Sequence, residues 1–192
     1  MALTASPTEE PVDARVVRTR NDILTTTLQV LVDEGREAVT HNHVARVAGY
    51  SRATVYKHWP TRSDLLYEAF AWLRQMPHHA ATGNLRNDLI AELTMFRAAI
   101  EDYHLDQLLA VLAELASSDP RMAVIRDEMV RDGEAPLRTM LATVADGERF
   151  EAAALMLSGF VSNAAMMHDT LPSDALIAAA VDIALLGIAH AE

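Results

Sequence analysis

The chain has 192 residues, enough for one large domain or for a small domain joined to a medium one, and its 51% apolar content suits a folded protein with a real core. Only 5% of residues are aromatic, so that core must be aliphatic; the absence of cysteine excludes disulfides and cysteine-ligated zinc and fits a cytoplasmic protein. The formal net charge of -11 is unevenly placed, with nine basic and nine acidic residues in 1–76 against seven basic and eighteen acidic in 77–192. An acidic body is repelled by nucleic acid, so any DNA contact falls to the first part.

Residues 1–12 carry Pro7, Pro11 and the pair Glu9-Glu10 without an apolar run, which predicts a disordered tail and not a signal peptide. A first domain is expected over 13–76 and a second over 77–192. Val16 to Glu34 reads as the first helix, with Ile23, Leu24, Leu28 and Leu31 on one stripe and Gly35 closing it. Arg15, Arg18 and Arg20 near its start are within reach of a DNA backbone.

The stretch from Thr40 to Leu66 organises the domain. Thr40 can cap a helix over His41 to Val47, and Gly49 supplies the left-handed residue of a tight exit. Ser51 can cap a second helix from Arg52 to about His58, which Pro60 ends by pushing Trp59 out of the helical region. Thr61 with Asp64 three residues on forms a capping box for the next helix. Two helices across a three-residue glycine turn make a helix-turn-helix. Val44, Val47, Tyr50, Val55 and Trp59 are expected to form its apolar cluster. Thr40, Ser51, Arg52, Thr54, Tyr56, Lys57 and His58 are the candidate DNA-binding residues, all able to donate hydrogen bonds to phosphates or base edges. Arg52 and Thr54 lie near the helix start, where base edges are reached. No acid occurs between Glu37 and Asp64, a gap of 26 residues that holds Arg46, Arg52, Lys57 and Arg62.

The run VARVAGYSRATVYKHWPTRSDLLYEAF resembles the N-terminal signature of TetR-type bacterial transcriptional regulators, from about Ile23 to Phe70. Tyr50 and Trp59 stand where a smaller aliphatic residue and Phe are more usual. The resemblance implies an all-α protein, with a three-helix DNA-binding domain, a helical ligand-binding and dimerising domain, and repression relieved by a small molecule. It also implies phosphate contacts from Tyr56 and Lys57.

The fourth helix is expected from Arg62 to about Met76, burying Leu65, Leu66, Ala69, Phe70 and Leu73 and ending at Pro77. Its far end makes it the candidate lever between a ligand and the DNA. Beyond it every segment reads as helical: Asn84 to about His104; the short, very apolar Leu105 to Ala116, expected to cross the domain centre; a helix opened by Asp119 and Pro120 and kinked or broken near Gly133 and Pro136; then Glu148 to His168 and Ser173 to Ala189. The last 43 residues contain no Lys or Arg. Their apolar runs read as too short to span a bilayer and need cover on more than one side, which predicts a homodimer through the two C-terminal helices. The same family pattern places the dimer interface there.

Candidate ligand-binding residues are the methionines, aromatics and polar groups set among apolar runs: Trp72, Met76, Met95, Phe96, Tyr103, His104, Met129, Phe160, Asn163 and Met167. His41-Asn42-His43 spells a nuclease motif but stands at a helix start, and His78-His79 lacks the partners of a metal site. No phosphate loop, metal-protease helix or nucleophile elbow occurs, so neither a cofactor nor catalysis is expected. The reading is a dimeric DNA-binding regulator of a near-palindromic operator, most simply a repressor released by an apolar or amphipathic effector. A regulator without a ligand, or a helical carrier or enzyme with a vestigial DNA-binding domain, are the alternatives.

Overall fold

The computed structural model describes residues 14–168 and 170–189, so the tail expected over 1–12 lies outside the described residues. Among them there are helices and no strands. The chain divides between Trp72 and Leu73 into two compact units, four residues ahead of the expected boundary.

In the first unit, α1 (Ala14–Glu34) buries Ile23, Leu24, Leu28 and Leu31 along the stripe read from the sequence, together with Thr27 and Val30. Thr27 satisfies its hydroxyl by donating to the Ile23 carbonyl at 2.8 Å. A single 3-10 turn over Arg36–Ala38 leads into α2 (His41–Ala48), α3 (Arg52–His58) and α4 (Arg62–Leu73). The α1 helix packs on α2, and α2 on α3. Their shared core is Val44, Ala45, Val55 and Trp59, all 2% exposed or less. Two members of the expected cluster lie elsewhere. Val47 is 48% exposed, because it falls on the outer face of α2, one step away from the 44, 45 side. Tyr50 is half-buried and donates its hydroxyl to Asp22 Oδ2 at 2.8 Å. Its size serves a polar bond back to α1.

The α4 helix ends at Leu73 and not near Met76. Residues 74 and 75 form a turn, Met76 donates its amide to the Leu73 carbonyl at 3.2 Å, and the chain then runs without regular structure to Asn84. Proline forces the residue before it away from helical geometry, and the helix here stops two residues sooner still.

The second unit contains α5 (Leu85–Tyr103), α6 (Leu105–Ala116), α7 (Pro120–Leu141), α8 (Gly147–His168) and α9 (Asp174–Ala189). The central helix is α5, which packs against all four others. The expectation that α6 would cross the centre does not hold. It buries only Leu105, Leu108 and Leu112 and turns Ala110, Ala113 and Glu114 to solvent. Alanine raises the apolar count of a helix without demanding burial. Between α5 and α6, His104 takes φ 51°, the left-handed region, and is the single residue linking the two helices.

Asp119 caps α7 by accepting the Arg121 amide at 2.9 Å, with Pro120 in the first turn. The helix then continues through Gly133 and Pro136, so of the expected kink or break the break does not occur. Proline removes one intrahelical hydrogen bond, and packing of Leu137, Met140 and Leu141 on the far side holds the helix together. Asp182, which interrupts an apolar run of α9, is paired through both oxygens with Arg86 of α5 at 2.6 and 2.9 Å.

Candidate nucleic-acid interface and ligand cavity

The helix-turn-helix is assembled by caps. Thr40 Oγ1 accepts the His43 amide at 3.2 Å and so starts α2. Gly49 adopts φ 75°, ψ 25° and turns the chain, letting the Tyr50 amide reach the Ala45 carbonyl at 2.9 Å. Ser51 Oγ accepts the Thr54 amide at 3.0 Å and opens α3. Trp59 leaves helical geometry before Pro60 while its amide still bonds the Val55 carbonyl at 2.9 Å. Thr61 and Asp64 exchange hydrogen bonds in the expected box, at 3.0 and 3.2 Å.

Side-chain bonds the sequence did not suggest fix α3 against its neighbours. His41 is buried, donates from Nε2 to the Trp59 carbonyl at 2.7 Å, and stacks on Tyr56 with ring centroids 4.0 Å apart. The start of α2 is thereby tied to the end of α3. Arg20 pairs with Glu68 and lies over the Trp59 ring at 5.5 Å, so its charge is already engaged within the unit.

Along α3 the side chains of Ser51, Arg52, Tyr56 and Lys57 are exposed, and those of Thr54 and His58 half-buried. Arg52 folds over the Tyr56 ring at 4.9 Å and donates to its hydroxyl at 3.1 Å. This contact holds the guanidinium one turn along the helix, over Tyr56. Lys57 is exposed and has no partner among the described residues. Thr40, also exposed, keeps its hydroxyl hydrogen available while its oxygen caps α2. The seven candidate DNA-binding residues thus lie on or beside one short helix, in the acid-free stretch between Glu37 and Asp64.

The second unit holds a partly open cavity of about 410 Å³, within the range of small-molecule sites. Its walls come from residues 73–78, α5, α6, α7 and α8. Of the candidate ligand-binding residues, Met76, Met95, Phe96 and Met129 line it. The other six do not: Trp72 belongs to the first unit, Tyr103 and His104 sit at the exposed end of α5, Asn163 and Met167 face outward from α8, and Phe160 is half-buried away from the cavity. Sequence reasoning missed the polar lining, namely Arg74, His78, Glu92, Asp132, Glu134, Ser158 and Ser162. The signal for one of them was present. Glu92 stands four residues before Phe96 on the apolar side of α5 and is 5% exposed.

Glu92 Oε1 accepts from His78 Nδ1 at 2.7 Å and Oε2 from the His79 amide at 2.8 Å. One turn earlier, Asp88 accepts from the Thr82 hydroxyl and amide, the Gly83 amide and the His79 ring. These bonds, the Thr82 hydroxyl first and then the His79 ring, hold the Asp88 carboxyl well below the usual range, against burial that pushes it up. Two carboxylates on α5 therefore pin the segment between α4 and α5. Among the described residues no group of three or more ligands suits a metal ion, and His78 and His79 are each taken by a carboxylate.

A capped helix-turn-helix presenting one basic, acid-free helix defines a DNA-binding protein. Residues 23–69 match the family of bacterial regulatory proteins called the tetR family. Two mycobacterial relatives, uncharacterized HTH-type transcriptional regulators of Mycobacterium tuberculosis and Mycobacterium bovis, are each 27% identical over 172 residues, covering 86% of this chain and 85% of theirs. The DNA-binding transcriptional repressor TetR of Mycobacteroides abscessus is 33% identical over 82 residues, 39% of this chain and 40% of that one. The fold of the TetR family transcription regulator SCO0332 superposes with a TM-score of 0.63 at 25% identity, covering 88% of this chain and 98% of that one. A regulator from Mesorhizobium loti shares the fold at 17% identity with a TM-score of 0.70, over 92% and 97% of the two chains. Residues 23–69 thus form a DNA-binding domain of the tetR family, and over most of its length the chain is similar to HTH-type transcriptional regulators.

Proposed function

We propose that the chain is a homodimeric repressor, released from a near-palindromic operator when a small apolar or amphipathic molecule enters the cavity. The observation that carries this reading is the cavity itself: an aliphatic core that could have closed on itself leaves about 410 Å³ open among four helices and the segment leading from α4. Lys57 and Tyr56 grip phosphates, and Arg52 and Thr54 read base edges. One relative is named a repressor, which favours that sign of control. Acting on DNA, the protein works in the cytoplasm.

Dimerisation is supported by the last two helices. On α8, Met156, Met166 and Met167 are 42–68% exposed, and on α9 Leu176, Ile183 and Leu186 are 51–62% exposed. At 22 residues and a mean hydropathy of 1.3, α8 is long and apolar enough to cross a membrane by length and composition, so the expectation that its run is too short does not hold. Its opposite face, Ala153, Ala154, Leu157 and Val161, is buried in its own unit. A second copy of the chain covers the outward face without a membrane, and two-fold symmetry sets half-site centres about one DNA turn, or a multiple of it, apart.

Release follows only if the ligand binds one arrangement of the dimer better than another. Coupling of this kind is typically ~1–3 kcal/mol, a loss of roughly 5–150-fold in operator affinity. Reciprocity gives the experiment. Ligand affinity is measured with and without saturating operator DNA. The two values differ by the same factor by which the ligand weakens DNA binding. Equal affinities in the two titrations would leave a regulator that does not answer to that ligand.

A further inference from the structure

The cavity's charges are not balanced. Glu92, Asp132 and Glu134 line it, against Arg74 and His78. Arg74 is already held by two carboxylates, with Nε at 2.8 Å and NH2 at 2.6 Å from Asp132, and NH1 at 2.5 Å from Glu128. Glu134 takes Arg138 at 2.8 Å, and Arg138 lies outside the lining. An anionic ligand head would therefore find no cation that is not already engaged, and would lie among carboxylates. Burying an unpaired charge is costly, and burying it beside a like charge more so.

Glu92 differs from the other two acids. Its side chain is 7% exposed, and its neighbours in the wall include Leu93 and Phe96. Its two oxygens are held unequally. Oε2 receives a backbone amide, that of His79, which is fixed by the chain. Oε1 receives only the His78 ring, whose side chain is 35% exposed and can turn to water without leaving a buried donor unpaired. One oxygen of a buried carboxylate, flanked in the wall by Leu93 and Phe96, is thus available by exchange.

We infer that the molecule taken by the cavity is apolar with one cationic nitrogen, an alkyl- or arylalkylammonium, whose head displaces His78 from Glu92 Oε1 while its tail fills the space between α5, α7 and α8. The inference specifies the ligand of the cavity proposed above and rests on that reading. The seat also has a consequence for control, because the displaced histidine belongs to the segment that Glu92 and Asp88 pin between α4 and α5.

Three probes of one shape test it by calorimetric titration of the purified full-length protein: 4-phenylbutylammonium, 4-phenylbutan-1-ol and 4-phenylbutanoate. The ammonium binds about tenfold tighter than the alcohol and the carboxylate weakest, in keeping with the strength of charge-assisted hydrogen bonds. Glu92→Gln, which keeps an oxygen for the His79 amide, brings the ammonium to the level of the alcohol and leaves the alcohol unchanged. His78→Ala removes the competitor and strengthens ammonium binding, a gain that a damaged fold would not give. Tightest binding of the carboxylate, or an ammonium preference untouched by Glu92→Gln, overturns the inference and leaves the cavity a ligand site. Uptake of none of the three by the folded protein overturns the cavity reading as well.

Discussion

Single residues on α3 divide by what they can reach. Lys57 is exposed and unpaired among the described residues, so Lys57→Ala weakens binding to every DNA sequence about equally and lowers the salt slope by about one unit. Arg52 stands at the start of α3 with its guanidinium held over Tyr56, so Arg52→Ala relaxes preference at one operator position, at ~1–3 kcal/mol for a lost base contact. Binding titrations on specific and random DNA at several salt concentrations separate the two; equal losses on both DNAs for Arg52→Ala would refute its role. In the second unit, Asp88 makes a different prediction. Its folded carboxyl titrates below the unfolded value of about 3.9, so the unfolded chain holds more of the proton between the two. The stability it contributes is complete at neutral pH and is lost as pH falls below about 4. Asp88→Asn lowers stability at pH 7 and flattens that acid limb in urea denaturation measured across pH. An unchanged limb would show that the carboxylate does not pin the segment.

At the scale of elements, what could be read from the chain was whatever local chemistry decides. The caps at Thr40, Ser51, Asp119 and the Thr61–Asp64 box form with the partners their spacing implies, and the left-handed turn falls on Gly49. What could not be read depended on packing. The break expected at Gly133 and Pro136 is overridden by buried neighbours on the same helix, and α5, not the more apolar α6, takes the centre. Most of the cavity lining was missed for a related reason. Methionines and aromatics were chosen by type, whereas Glu92, His78 and Arg74 reach the cavity through tertiary placement. The unbroken α7 carries its own test. A Cβ added at Gly133 meets no atom within 4 Å, so Gly133→Ala stabilises the protein by about 0.5–1 kcal/mol through helix propensity alone. A drop in melting temperature would mean that the helix needs the glycine's freedom beside Pro136.

The whole molecule carries a basic helix in a neutral first part and its excess acid in a second part proposed to dimerise. Ile183 is 62% exposed on the outer face of α9, so Ile183→Glu sets like charges in the proposed interface and shifts sedimentation toward monomer, with loss of operator binding and little change in the fold of each chain. A dimer of unchanged stability would move the interface off α9. The most direct test of the central claim is a DNA-binding titration with the promoter of the chain's own gene, set against scrambled DNA of the same length at fixed salt. A specific regulator binds one segment as a dimer, with an affinity on the order of 10³-fold or more above the scrambled DNA, and protects a two-fold symmetric site. Equal binding to both DNAs, or none, would contradict the assignment of α3 as a recognition helix.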